Sequence, residues 1–283
     1  MTATTFIHTS DFQLGMTRWF LKGEAQGRFN DDREAAIVRL GELAEETGAE
    51  FIVVAGDVFE HNALSRDILA RATEMFKRLP VPVYVLPGNH DPLVADSVFY
   101  KTSADNVHVI ADSEPIEVAP GVELVGAPYL SKRANHDLVR QALEPLEPAA
   151  GIRIAVGHGQ VDSRSGEDDA DTIDLAFVED CLDRGVIDYL ALGDTHSTAS
   201  LGTTGRVWFS GSPETTDYKE TSTGGGEADS GNALVVRVGD KVDVDKRRIG
   251  RWTFEALDAA VDSAEDVERF LARLGEYPDK VRT

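Results

Sequence analysis

Short apolar, β-branched runs alternate with longer amphipathic stretches along the first hundred residues. Residues 6–10 read as a strand, and residues 51–55, FIVVA, form a continuous apolar run, the pattern of a strand buried on both faces. Between them, residues 30–47 carry Ala36, Ile37, Leu40, Leu43 and Ala44 at helical spacing, and Asp31 with Glu34 predicts where that helix starts. A helix over residues 64–79 and a strand over residues 82–86 follow. This βαβαβ alternation predicts helices packed on a sheet with parallel members.

The middle of the chain is richer in strands. Residues 107–110, 115–118, 123–126, 152–156 and 189–192 read as strands, with helices over 135–146 and 175–184. Residues 207–210, 233–238 and 241–245 read as antiparallel strands. The stretch 221–231, with three consecutive glycines, reads as a flexible loop. After Arg248 the pattern leaves one strand, 252–256, and one helix, 263–274, whose Ser263 and Asp266 resemble a capping box. That is too little for an independent domain.

Acidic residues outnumber basic ones 50 to 28, a formal charge of −22 that opposes non-specific binding to a polyanion such as DNA. Any contact with nucleic acid must then be local or supplied by a partner. Cys181 is the sole cysteine, which excludes a disulfide framework and a cysteine-based zinc site within one chain. No apolar run approaches the roughly 18 residues of a membrane span, and the N-terminus lacks a leader pattern. A soluble, cytoplasmic protein is expected. No GxxxxGK[ST] or GxSxG string occurs, which disfavours an NTPase or a serine hydrolase.

The chemistry concentrates just after predicted strands, at Asp11 with Gln13, at Asp57, at Asn89 with His90 and Asp91, at His158, and at Asp194 with His196. Ligand sites in α/β sheets lie outside the carboxyl ends of strands, so these residues can converge although they are far apart in the chain. Most follow a glycine, which permits the sharp turn that points the next side chain into a shared pocket. Mixed carboxylate, amide and imidazole donors suit hard or borderline divalent ions, manganese first, then magnesium, iron or zinc. Two such ions roughly 3.5–4 Å apart activate water and neutralise charge on a phosphoryl group. Asp57 is the natural bridge between them.

The strings HTSDFQLG, GDVFE, GNHD, GHGQV and GDTH, in that order, resemble the five signatures of the calcineurin-like metallophosphoesterases. The flanking text FIVVAGDVFE, VYVLPGNHD, DYLALGDTH and FSGSPETTDY resembles most the SbcD and Mre type of DNA repair nuclease, over residues 5–250. The resemblance implies an α/β sandwich of two mixed sheets flanked by helices. It implies a nuclease domain over residues 1–247 and the start of a small α+β capping domain over 248–283. One ion would be held by Asp11, Gln13, Asp57 and His196, the other by Asp57, Asn89, His158 and Asp194. His90 would donate a proton to the leaving oxygen or contact the phosphate, with Asp91 fixing its tautomer.

By the same resemblance, the activity is manganese-dependent exonuclease and endonuclease action on DNA ends, and the partners are DNA, an SbcC- or Rad-like coiled-coil ATPase and a second copy of the chain. Relatives of this type extend further, so a chain stopping at Thr283 inside the cap is expected to be a fragment or a minimal form. Two positions depart from the family pattern: Gln13 and Asp194 stand where histidines are expected. The segment with Arg18, Lys22, Arg28 and Arg33 beside Trp19, Phe20 and Phe29 is a candidate grip for phosphates and bases, or a solvated loop. Lys132 with Arg133, and Lys246, Arg247, Arg248 and Arg251, are further basic clusters. Glu60 and His61 are weaker substrate-side candidates. A phosphoesterase acting on a small nucleotide or cyclic nucleotide would carry the same ligand set, and a DNA-binding subunit without turnover would carry it in impaired form.

Overall fold

A computed structural model describes residues 2–102, 104–162, 170–219 and 225–277. The first sheet contains β1 (Thr4–Thr9), β2 (Phe51–Val54), β3 (Val83–Val85), β4 (Val107–Val109), β11 (Asn232–Val238) and β12 (Val242–Arg248). The second contains β5 (Ile116–Ala119), β6 (Val122–Gly126), β7 (Ile152–His158), β8 (Tyr189–Gly193), β9 (Ala199–Leu201) and β10 (Val207–Phe209). Both sheets have six strands, in the orders β12-β11-β1-β2-β3-β4 and β5-β6-β7-β8-β10-β9. The strands β1 to β4 run parallel to one another, as do β6, β7, β8 and β10, while the hairpin β11–β12 adds antiparallel to β1.

The period of two along each strand explains the layers. Phe6, Phe51, Val53, Tyr84 and Leu86 of the first sheet meet Leu124, Ile154, Val156 and Tyr189 of the second in a core between the sheets. Their neighbours Ile7, Ile52, Val54 and Val85 point the other way, onto Ile37, Leu40 and Ala44 of α1 (Glu24–Thr47) and Leu69, Ala72 and Phe76 of α2 (Arg66–Phe76). On the far side, Val125, Ala155 and Leu190 pack on α3 (Leu138–Leu143) and α4 (Leu175–Asp183). The expected sandwich of two mixed sheets with flanking helices is therefore the observed one, and it brings the carboxyl ends of β1, β2, β3, β7 and β8 to one edge.

Some elements differ from the sequence expectation. Helix α1 begins at Glu24, with Gly23 at its cap and no side-chain cap bond, so Asp31 and Glu34 lie inside it rather than at its start. The first turns read EAQGRFN, without apolar periodicity, and the tertiary contacts of Phe29 hold them. No strand forms at 252–256. There the amides of Arg251 and Trp252 donate to the buried Glu214 carboxylate instead of to a neighbouring strand. Strand β10 pairs with β8 and with the short β9, which the sequence did not announce, rather than with the β11–β12 hairpin. In the glycine-rich stretch, residues 220–224 lie outside the described residues. The final helix α5 (Ala264–Gly275) starts at Ser263, whose hydroxyl accepts from the Asp266 amide, and it buries none of its residues.

Candidate metal centre

The loops after β1 and β2 are tied together: the Asp11 amide donates to Gly56 O at 3.0 Å and the Gln13 amide to Asp57 O at 2.8 Å. Both loops turn through left-handed backbone. Among the described residues, the non-glycine residues with positive φ are Asp11 (55°), Gln13 (42°), Asp57 (53°) and Asp194 (94°), all candidate ligands. Such conformations cost on the order of 1–3 kcal/mol each and persist where the surroundings enforce them. Two glycines allow the approach. A Cβ at Gly56 would stand 2.1 Å from His158 Nδ1, and one at Gly88 would stand 2.2 Å from Asp57 Oδ1.

At the centre, Asp11, Asp57 and His158 are all buried and each offers a ligand atom within 4.8 Å of the others. His158 Nδ1 donates to Ala55 O at 2.9 Å, which turns Nε2 inward. There it lies 3.0 Å from Asn89 Oδ1, 3.4 Å from Asp57 Oδ2 and 3.8 Å from Asp194 Oδ1. Asp194 closes the ring from the β8 side: its amide donates to the Asp11 carboxylate at 3.2 Å, and its other oxygen accepts from Gln160 Nε2. The Gln13 amide oxygen is buried with no hydrogen-bond partner among the described residues. Gln13 follows Asp11 by two residues in the same loop, and an unpartnered neutral oxygen there is a donor that a divalent cation would complete.

The electrostatics are those of a site built for positive charge. Burial, with the neighbouring Asp57 adding to it, pushes the Asp11 carboxyl up to about 6 against the pull of His196 and His158. Burial acts on Asp57 in the same direction, yet His158 and His90 overcome it and hold that carboxyl below its usual range. For His158, burial opposes the charged form but Asp57, Asp11 and Asp194 outweigh it. Divalent cations would take over this compensation.

His196 approaches from the loop after β8, and here the structure supplies a residue the sequence did not announce. Glu227, buried in the loop before β11, accepts from His196 Nδ1 at 2.8 Å with one oxygen and from the Thr216 amide at 2.8 Å with the other. Nothing in the local text around Glu227 marks it, because the contact spans 31 residues. The pairing engages Nδ1, so Nε2 is the nitrogen that would hold a cation, although His196 lies outside the compact cluster of Asp11, Asp57 and His158. Arg33 is equally illegible in the sequence: expected among residues gripping phosphate, it is buried and donates to the carbonyls of Phe12 and Gln13, clamping the first ligand loop.

The roles expected of the GNHD string divide differently. His90 is half-exposed, with Nε2 4.0 Å from Asp57 Oδ2, so it faces both the cluster and solvent. Its Nδ1 bonds Glu60 O at 3.0 Å, so the tautomer is fixed by that carbonyl and not by Asp91. Asp91 instead accepts from the amides of Phe59 and Gly88, at 2.9 and 2.8 Å, and braces the second loop against the third. Its isolation from water pushes its carboxyl up to about 7. The Glu60 carboxylate comes within 3.9 Å of His90 Nδ1. His61 is exposed and accepts from the Ala63 amide, outside the cluster.

Of the basic residues, Arg18 donates to Thr216 Oγ1 at 2.6 Å and lies 3.9 Å from Asp217, while Lys22 and Arg28 are exposed. Lys246, Arg247 and Arg251 are neutralised by Asp229, Glu46 and Asp32, so that cluster is not a free cationic face.

The chain is similar to several known proteins. The chain is 25% identical over 236 residues to the uncharacterized metallophosphoesterase YhaO of Bacillus subtilis, covering 80% of this chain and 57% of that protein. It is 26% identical over 241 residues to the DNA double-strand break repair protein Mre11 of Archaeoglobus fulgidus, covering 77% and 52%. Over 226 residues it is 23% identical to a subunit of the SbcCD nuclease of Staphylococcus epidermidis, covering 69% and 57%. The chain thus spans a little over half the length of these relatives. Among the described residues, no helix is long and apolar enough to cross a membrane. The calcineurin-like phosphoesterase profile matches residues 4–198, well over half the chain, so the chain belongs to the calcineurin-like phosphoesterase family.

Proposed function

We propose that this phosphoesterase hydrolyses phosphodiester bonds in DNA, cutting at and near DNA ends in repair. The observation that carries the hydrolytic reading is the buried cluster of Asp11, Asp57 and His158, with an unpartnered Gln13 oxygen in the same loop as Asp11. The DNA reading is supported by relatives named as a double-strand break repair protein and as part of a nuclease. In this reading Asp11, Gln13, Asp57 and His196 hold one divalent ion, and Asp57, Asn89, His158 and Asp194 hold the other. Oxygen donors outnumber imidazoles in both sets, which favours manganese or magnesium over softer ions.

Bound there, the ions supply Lewis acidity that lowers the pKa of water and neutralises phosphoryl charge. The chain's own residues do the rest. Asp57 spaces the two halves of the site, and Glu60 O and the Ala55 carbonyl hold His90 and His158 in the tautomers that leave each Nε2 turned to the cluster. His90 is open enough to reach a bound phosphate and, when it carries a proton on Nε2 as well as on Nδ1, donates that Nε2 proton to the departing oxygen or in a hydrogen bond to the phosphate.

A partner ATPase of the SbcC or Rad type and a second copy of the chain belong to the same reading, supported by one relative being named as a nuclease subunit. A small nucleotide or cyclic nucleotide is the competing substrate, favoured by the charge of −22, which repels a long polyanion. The test compares manganese-dependent cleavage of linear DNA with that of bis(p-nitrophenyl) phosphate, beside His90→Ala. DNA cleavage lost in the variant supports the proposal. Cleavage of the small ester alone supports the competing substrate.

A further inference from the structure

The segment between the first ligand loop and α1 is anchored to the metal centre at one point and open to solvent at the next. Arg18 donates to Thr216 Oγ1 at 2.6 Å, and that hydroxyl sits 3.0 Å from His196 Nδ1. The following residue, Trp19, is 83% exposed, more than any other large apolar side chain among the described residues. Its ring is nevertheless braced: it stands edge-on to Phe20 at 5.7 Å, and Phe20 in turn packs on Phe254 at 5.2 Å and Tyr218 at 5.9 Å. An indole held in place but left wet forgoes the gain of burial, as expected of a surface that is covered by something else. Lys22 and Arg28 follow it in the chain, both exposed, whereas Lys246, Arg247 and Arg251 are tied up by carboxylates.

Resting on the reading of the substrate as DNA, we propose that Trp19 is a stacking platform for an unpaired nucleobase, with Lys22 and Arg28 holding the phosphates beside it. Each base offers a π-face, so such a platform is indifferent to sequence, and it requires a base released from the duplex. The substrate class is therefore a single strand or a frayed end, led from Trp19 past Arg18 to His196. The platform also answers the charge problem: stacking supplies affinity that does not depend on overall attraction between the chain and a polyanion.

The test is fluorescence anisotropy of the metal-free protein with a labelled 15-mer of thymidylate and with an abasic 15-mer of equal charge. Trp19→Ala is expected to weaken thymidylate binding roughly five- to hundred-fold, the range for loss of one base–aromatic stack. It should leave the abasic strand and manganese-dependent turnover of bis(p-nitrophenyl) phosphate unchanged, and Trp19→Phe should recover most of the lost affinity. Equal thymidylate binding by wild type and Trp19→Ala, or an equal loss on both strands, overturns the proposal. If wild type cleaves linear DNA and the variant binds thymidylate normally, the platform alone falls. If wild type neither binds nor cleaves DNA, the DNA reading falls with it.

Discussion

Removing the Glu227 carboxylate is expected to strike one half of the proposed metal centre and spare the other. In the native arrangement Glu227 Oε1 lies 2.8 Å from His196 Nδ1 and the other oxygen takes the Thr216 amide at 2.8 Å, so the imidazole has one tautomer and one orientation. Burial opposes protonation of His196, but Glu227 and Asp11 hold its pKa above the usual value, and Glu227 is held below its own despite burial. Glu227→Ala frees the ring to rotate and to place its proton on Nε2, where it competes with a cation.

Loss of such an outer partner costs roughly 10–100-fold in metal affinity, about 1.4–2.7 kcal/mol. The Thr216 amide also loses its acceptor, which costs about 1–3 kcal/mol of stability, so the fold is monitored in parallel by thermal unfolding. Isothermal titration of the metal-free protein with manganese is expected to show the site containing His196 weakened by that factor and the site containing Asn89 and His158 within a few-fold of wild type. Glu227→Gln keeps an oxygen acceptor of the same reach and should recover most of the affinity. Two unchanged sites, or an equal loss at both in a folded variant, would refute the reasoning.

Three further outcomes follow from the same geometry. Asp91→Ala strands the buried amides of Phe59 and Gly88, and about 2–5 kcal/mol of lost stability should lower the melting temperature by roughly 5–15 °C in a thermal scan. Because the Asp11 carboxyl sits at about 6 in the metal-free site, protons compete with cations below that pH. Manganese affinity measured by titration should already decline with falling pH where His158 and His196, both held above their usual values, take up protons, and should steepen by about another tenfold per pH unit below about 6, whereas an Asp11 titrating near its ordinary value would add no steepening until about pH 4. Gln13→His exchanges an amide oxygen for an imidazole nitrogen. Competition titrations should then move selectivity from manganese toward zinc by roughly tenfold or more, and no change would remove Gln13 from the ligand set.

The fold is legible in the sequence where burial on both faces forces a continuous apolar run, as in β2 and β8, and where helices carry a periodic stripe, as in α2. It is not legible where tertiary contacts replace local signals. The start of α1 depends on Phe29 packing against Trp252 and Phe254, and residues 251 and 252 satisfy Glu214 rather than forming a strand.

The candidate ligands are readable because each sits within a few residues of a buried strand's end, a purely local pattern. Their supports are not. Arg33 clamps a loop 20 residues away and Glu227 orients a histidine 31 residues away, and in a sequence both are charged residues among many. Asp91 shows the same limit: adjacency in GNHD suggests contact with His90, but the backbone turns its carboxylate inward to the Phe59 and Gly88 amides.

The most direct test of the account is manganese-dependent hydrolysis of end-labelled linear DNA by wild type, His90→Ala and Asp57→Asn, with manganese binding measured on each. Wild type should release nucleotides. His90→Ala should bind manganese normally and lose activity by roughly 10²–10⁴-fold, the span of acid–base catalysis. Asp57→Asn should lose both binding and activity, since Asp57 alone is shared by the two proposed sites. Undiminished DNA cleavage by Asp57→Asn, or manganese bound with full affinity by that variant, would contradict the account.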